Sequence, residues 1–401
     1  MTSFQQLRTS LSRRANLFIM GGEWALSQPE EARRNLRHYW FDGLFAAASD
    51  TVPLNYLALY LLALGATGAQ VGWFSALTSL AAALSLLPGA YLVERFGRPK
   101  QIAVIFGGLG ARILLLALAL LPLGASGQAL IWALILISVV RSVAGNLAFP
   151  AWMAVTGAIV PVEGRGRYFG SRNLVMGIAS MILTYLLGEF ITFAGSPLGY
   201  QLALGLSLVT GLISTWFFAQ ISDPHEKPET PVATQGDMTF SLRGLVGDLR
   251  ASPVFLALCL SAALWNFALN IAGPFFNVYM AKDLGFTAAM IGLTSVATTV
   301  SRLFTQPKMG ELADRWGPAR VQMIFMFLIP ILPFLWMFIT QLWQVVALNL
   351  LGGILWGAFE LASFNFLLML TPAAQRARYS AIYQVIVMIA LSGGAAFGGF
   401  I

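Results

Sequence analysis

At 401 residues, 58% hydrophobic and only 10% charged, with a mean hydropathy of +0.75, the chain is too apolar for a water-soluble domain, where about 25% of residues are charged. A single cysteine, Cys259, inside an apolar run excludes a disulfide framework and a thiolate metal site, and His38 and His225 lie too far apart in sequence to suggest a cluster. The net charge of +7 comes from basic residues spread over many short segments, which fits an anionic membrane surface better than a nucleic acid.

In chain order, residues 1–37 carry basic residues without the apolar stretch and small-residue cleavage site of a secretory signal. Phe4, Leu7 and Leu11 share a helical face beside Arg8 and Arg14, so this segment reads either as a surface-lying amphipathic helix or as a disordered tail. Ser27 and Glu30 have the spacing of a capping box that starts a helix running into the first apolar run. Eleven spans follow, near 39–63, 70–92, 100–122, 128–158, 168–193, 198–220, 254–281, 288–306, 319–339, 344–370 and 378–401. Runs of about 20 apolar residues cross a hydrocarbon core as helices, and none shows the period-two alternation of a β-barrel strand. The segment between spans six and seven is polar, and its second half sets Leu242, Leu245, Val246 and Leu249 at helical spacing. The expected division is an N-terminal segment 1–37, a first bundle 38–221, a linker 222–252 and a second bundle 253–401.

Lysine and arginine are distributed unevenly between the two ends of these spans. The loops 64–69, 123–127, 194–197, 282–287 and 340–343 contribute only Lys282; Arg112, Arg141 and Arg302 fall inside spans, and the rest are assigned to the N-terminal tail and the opposite loops. Basic loops stay cytoplasmic, so the N-terminus is expected in the cytoplasm of a cell membrane, the bacterial inner membrane by preference.

Two charged turns read as copies. One is Gly310-Glu311-Leu312-Ala313-Asp314-Arg315-Trp316-Gly317; the other is Ala90-Tyr91-Leu92-Val93-Glu94-Arg95-Phe96-Gly97, followed by Arg98 and Lys100. A second echo relates Pro161, Arg165, Arg167 and Tyr168 to Pro372, Arg376, Arg378 and Tyr379. The offsets, 220 and 211 residues, are close enough for one duplication, the plan of transporters built from repeats. The same arithmetic leaves 22 residues after Tyr379, room for an eleventh span and not for a twelfth, which suggests a shortened sequence.

Intramembrane polar residues are costly and mark pathways or partners. Asp50 lies midway along span one, beside Ser49, Pro53 and Tyr56; Arg141 lies midway along span four. Asn266, Asn270, Gly273 and Asn277 form a stripe on span seven next to Trp265, and Asn349, Gly353, Trp356, Glu360 and Ser363 form another on span ten. The asparagines serve either a cavity or interhelical hydrogen bonds. Asp50 and Glu360 are either proton-relay acids or counter-charges for Arg141, Arg112 or Arg302, of which Arg112 and Arg302 read as structural. Glu189 falls near the end of span five, where water reaches it.

The turn at 310–317 resembles the G-x-L-A-D-R-x-G-R-R signature of the major facilitator superfamily, with Pro318 and Ala319 in place of the basic pair. The first copy keeps Arg95, Gly97, Arg98 and Lys100 and departs at Ala90 and Glu94. The resemblance implies an all-α polytopic membrane protein of two pseudo-symmetric six-helix bundles, here with the twelfth helix absent, and a midplane site reached alternately from either side. It implies that spans one, four, seven and ten line that site, which is where the stripes fall. It also implies an inner latch, Glu94 near Arg378 and Asp314 near Arg167, whose competing role is to set turn shape alone. Arg141 with Gly145 resembles a helix-four arginine pattern of the family, Ala144 standing where glutamine is usual. Span five reads Met176-Gly177-Ile178-Ala179-Ser180-Met181, without the Gly-Pro pattern of the family's drug–proton antiporters.

The function expected from this is secondary transport of a small solute, coupled to protons through Asp50 or Glu360, by a monomer in the lipid bilayer that uses no cofactor or metal. An uncoupled facilitator and a non-transporting sensor or scaffold are the alternatives. An enzyme is disfavoured, since no H-E-x-x-H motif or nucleophile–base pair is present.

Overall fold

A computed structural model of the chain describes residues 17–20, 22–161, 165–222, 252–370 and 376–400. Among them the regular structure is all helical, and it falls into eleven rods in the expected order. Nine are long and apolar enough to cross a membrane on their own. The other two, spans one and eight, carry Asp50 and Asn55, and Arg302 with several threonines, along their length. Large apolar side chains face outward all around the rods, with Phe193 91% and Phe327 79% exposed, as expected of a surface made for lipid rather than water. The linker residues 223–251 and the N-terminal residues 1–16 lie outside the described residues, and with them the surface helices read from sequence.

Several rods are broken where their sequence demands it. Span one is Glu30–Asn55 followed by Leu57–Ala63, interrupted at Tyr56 three residues after Pro53. Span seven is Pro253–Ala272 followed by Phe275–Lys282, parted by Gly273 and Pro274. Span three begins as Pro99–Ile102, widens into a π-helical stretch over Ala103–Gly110, and resumes as Ala111–Leu120. Wide turns of this kind recur at functional sites. Span two, Gly68–Phe96, starts on a capping box between Thr67 and Gln70 and ends at Gly97 with φ 60°, a left-handed closure that suits glycine. Gly317 (φ 82°) turns the chain at the equivalent place after span eight, Ala288–Trp316.

The packing respects the duplication. Span one packs on spans five (Arg165–Ala194) and six (Leu198–Ala219), and span two packs on span four (Gly127–Ile159). In the second set, span seven packs on span eleven (Arg376–Phe400) and span eight on span ten (Leu342–Leu370). The sets are joined chiefly by two larger contacts, span two with span eleven and span five with span eight, and by smaller ones from the end of span seven to spans one and two. Shifting either pair by half the chain gives the other.

These inter-set contacts gather at the end of the molecule remote from residue 30, called distal below. Lys282 Nζ donates to the Ala66 carbonyl (3.1 Å), the Ala289 amide to Thr192 Oγ1 (3.3 Å), and Ser392 Oγ to the Ala76 carbonyl (2.8 Å). A side chain at Gly72 would come within 2.8 Å of Gly399 Cα and 3.0 Å of the Ala395 carbonyl. On the other seam the Tyr56 hydroxyl donates to the Thr184 carbonyl (2.5 Å) and fills the notch left by Gly188 and Gly292.

Candidate functional site

Spans one to six line an open cavity of about 900 Å³. Its charged lining comprises Asp42 and Asp50 from span one, Arg112 from span three, Arg141 from span four and Arg172 from span five. Asp42 and Asp50 are eight residues apart, about two helical turns, and so share a face. Apolar walls come from Phe74, Phe149, Trp152 and Met176, and Asn146, Asn173 and Ser142 add neutral polar groups.

Asp50 sits between two guanidinium groups. Arg112 Nη1 donates to Asp50 Oδ1 at 2.5 Å and Arg141 Nη2 reaches the same oxygen at 3.4 Å. Arg112 is anchored further: Nη1 also donates to Ser49 Oγ (2.8 Å), and Ser49 Oγ donates to the Ser207 carbonyl on span six (2.6 Å). Glycine at 211 makes room for this, because a side chain there would come within 2.6 Å of both Arg112 Cδ and Ser49 Oγ. Arg141 has no such anchor; its Nε is buried without a protein acceptor.

The second acid, Asp42, belongs to a tighter cluster nearer the N-terminal end. Arg172 Nη2 lies 3.6 Å from Asp42 Oδ2, Ser214 Oγ donates to Asp42 Oδ1 (2.7 Å), and Arg172 Nε donates to the Tyr39 carbonyl (3.1 Å). The Arg172 guanidinium also lies over the Tyr39 ring, 4.2 Å from its centre. Both charged side chains are under 10% exposed. Neither residue was singled out from sequence, because the predicted limits of spans one and five left Asp42 and Arg172 within four residues of a membrane boundary. Arg172 was placed there among the loop cations. The structure corrects that assignment, since Arg172 lies inside span five and is buried.

Of the expected site residues, Asp50 and Arg141 meet on the cavity wall, joined by Arg112, as the counter-charge alternative for Asp50 has it. Tyr56 is elsewhere, fully buried in the distal seam. The stripe on span seven turns inward on its own helix: Asn266 Nδ2 donates to the Ala262 carbonyl (2.8 Å) and Asn270 Nδ2 to the Asn266 carbonyl (3.3 Å). Asn277 lies beyond the break, half-buried. Trp265 and Trp356 both pack on Phe359. On span ten Asn349 accepts from Thr298 (2.8 Å), and Glu360 pairs with Arg302 of span eight. Glu189 is exposed, as its position suggested.

At the signature turns Arg95 folds onto its own helix, donating to the Tyr91 hydroxyl at 2.6 Å, while Arg98 and Arg315 are exposed. The side chains of Glu94, Asp314, Arg167 and Arg378, and the surroundings of Gly310, lie outside the described residues, so the latch remains an expectation.

Comparison with known proteins agrees with this architecture. The profile described as Major Facilitator Superfamily matches residues 40–278 and 258–401. The Multidrug resistance protein MdtG of Serratia proteamaculans is 25% identical over 335 residues, spanning 81% of this chain and 77% of that protein. The protein of the same name from Dickeya zeae is 25% identical over 340 residues, 82% of this chain and 78% of that protein. Among solved structures, a bacterial homologue of the human lysosomal transporter Spinster, inward-facing and unoccupied, superposes with a TM-score of 0.68 at 15% identity over 93% of this chain and 82% of the other. A D-xylose–proton symporter superposes at 0.64 with 16% identity over 90% and 88%. These are transporters rather than enzymes, and the chain, a multi-pass membrane protein, belongs to the major facilitator superfamily.

Proposed function

We propose that the chain moves a small solute across the bacterial cytoplasmic membrane by alternating access, with its N-terminus in the cytoplasm and Asp50 as the coupling proton's site. The observation that carries this reading is the Asp50–Arg112–Arg141 junction on the cavity wall, where one carboxylate is shared by two guanidiniums from separate helices. Protonating Asp50 would release both arginines at once, so the bound proton and the packing of spans one, three and four are linked. The gathering of inter-set contacts at the distal end supports a state closed toward the outside, in which Lys282, Thr192 and Tyr56 hold the seams. Asn266 and Asn270, each with one N–H on its own backbone, are packing groups in this reading; Glu360, paired with Arg302, balances charge in the second set.

The relatives carry a multidrug resistance name although span five lacks the Gly-Pro pattern, so the direction of transport and the solute are tested rather than assumed. In proteoliposomes with an imposed pH gradient, the expected result is solute flux that depends on the gradient, and flux in Asp50→Asn that no longer responds to it. Unchanged gradient dependence in Asp50→Asn removes Asp50 as the coupling site. Flux indifferent to the gradient in the unaltered protein makes it an uncoupled facilitator, and no flux for any solute of a broad panel favours a sensor or scaffold.

A further inference from the structure

The charges around the cavity do not balance. Three arginines, 112, 141 and 172, face two aspartates, 42 and 50, and no other acid is among the lining residues. Asp42 and Arg172 satisfy one another with help from Ser214 and the Tyr39 carbonyl. That leaves a single carboxylate, Asp50, for both Arg112 and Arg141. Arg112 holds it at 2.5 Å and has Ser49 as a second acceptor; Arg141 holds it at 3.4 Å with no second acceptor, and the Nε of each arginine is buried without one. The intramembrane acid of the second set, Glu360, is taken up by Arg302 and brings no relief. Arg141 is therefore a cation with a fraction of a counter-charge, 21% exposed, on the wall of a cavity large enough for a solute. A charge so placed is costly unless something pairs with it.

We propose that the cavity takes an organic anion, a single carboxylate on an apolar body, with the carboxylate docked on Arg141 and the body against Phe74, Phe149, Trp152 and Met176. The proposal rests on the reading of this cavity as the substrate site. Arginine suits the role because its planar fork accepts a carboxylate in two parallel hydrogen bonds. Asp50 then competes with the substrate for the same guanidinium. Neutralising Asp50 strengthens anion binding, and by reciprocity a bound anion favours protonated Asp50. Proton and anion would travel together. The charged groups facing Asp50 are Arg112 from span three, Arg141 from span four and, across the cavity, Arg172 from span five with Asp42 on its own helix; spans two and six present serines and threonines.

The test is calorimetric titration of the detergent-solubilised full chain with three size-matched probes: 2-naphthoate, 2-naphthamide and 2-(aminomethyl)naphthalene. The expected result is that naphthoate binds about tenfold or more tightly than either of the others, a difference typical of one charge-assisted contact. Arg141→Gln brings the three within about twofold of each other, and Arg141→Lys keeps part of the preference. Asp50→Asn tightens naphthoate by about threefold or more. The proposal is overturned if the amine or the amide binds as well as naphthoate, if naphthoate does not bind, if Arg141→Gln leaves the preference intact, or if Asp50→Asn weakens naphthoate. Should Arg141→Gln fail to fold, the Lys and Asp50→Asn variants decide. Naphthoate binding without flux into liposomes would keep the anion site and remove the transport reading. Gradient-driven flux of the amine would keep transport and remove the anion site.

Discussion

The two halves of the molecule share a packing plan and differ in what they do with charge. In the first, five ionised side chains from four helices crowd one cavity, and two of them, Asp42 and Arg172, are almost wholly buried. In the second, the ion pair seen inside the corresponding helices among the described residues is Arg302–Glu360, with both members partly open at 35% and 50% exposure, beside neutral asparagines and threonines. A duplicated scaffold thus keeps its helix contacts while its interior diverges. The first half concentrates charge around a cavity; in the second, polar groups such as Asn266, Asn270 and Asn349 bond to their own backbone or to a neighbouring helix.

Removing Arg172 is the severest way to probe that difference. Arg172→Met leaves Asp42 buried without its cation, and such half-pairs cost about 3–5 kcal/mol. The expected outcome is a large fall in the thermal unfolding midpoint in detergent, mostly restored by adding Asp42→Asn. If Arg302→Met in the second half is equally damaging, the contrast between the halves is lost. Arg112→Met comes next. It strips Asp50 of its closer partner and Ser49 of its donor, at a cost of about 1–3 kcal/mol, with Arg141 left to take over the carboxylate. A midpoint lowered as far as in Arg172→Met would show that the two clusters form one unit. Arg302→Gln should cost less than Arg112→Met, because both members of this pair are partly exposed and glutamine keeps a donor for Glu360. Asn349→Leu, which removes the acceptor of Thr298, should cost about 0.6 kcal/mol, the average for a hydrogen bond between membrane helices. A drop several times larger in Asn349→Leu would mean that the second half also depends on a polar network.

The sequence made the scaffold plain and the site only half so. Spans such as Gly127–Ile159 announce themselves because lipid demands long apolar runs, and the turns at Gly97 and Gly317 do so because charge and glycine stand out in such a background. Asp50 and Arg141 were legible for the same reason. Their pairing with Arg112 was one of the alternatives open from sequence; what selects it is that span three packs beside span four, a tertiary fact that no periodicity reports. Tyr56 misled by adjacency: it follows Asp50 by six residues, yet the break in span one turns it into the distal seam. The span-seven stripe had the right spacing for a cavity face, yet Asn266 and Asn270 each turn a side-chain N–H onto the carbonyl four residues earlier, a bond open to any helical asparagine.

The seams between the two halves also bear on how this sequence can drift. At Gly72 the atoms awaiting a new side chain are the backbone of Gly399 and Ala395 with the Phe275 ring, and at Gly188 they are the backbone of Ala288 and Ala289 with the Tyr56 hydroxyl; the backbone in each case cannot step aside. Phe193, Phe304 and Phe327, large and outward-facing, have only lipid to displace. The usual order of mutability is inverted. The bulkiest residues are the interchangeable ones, and the residues with no side chain at all hold the least freedom to change, so a saturation library selected for folded protein should be depleted at the seam glycines before it is depleted at the phenylalanines.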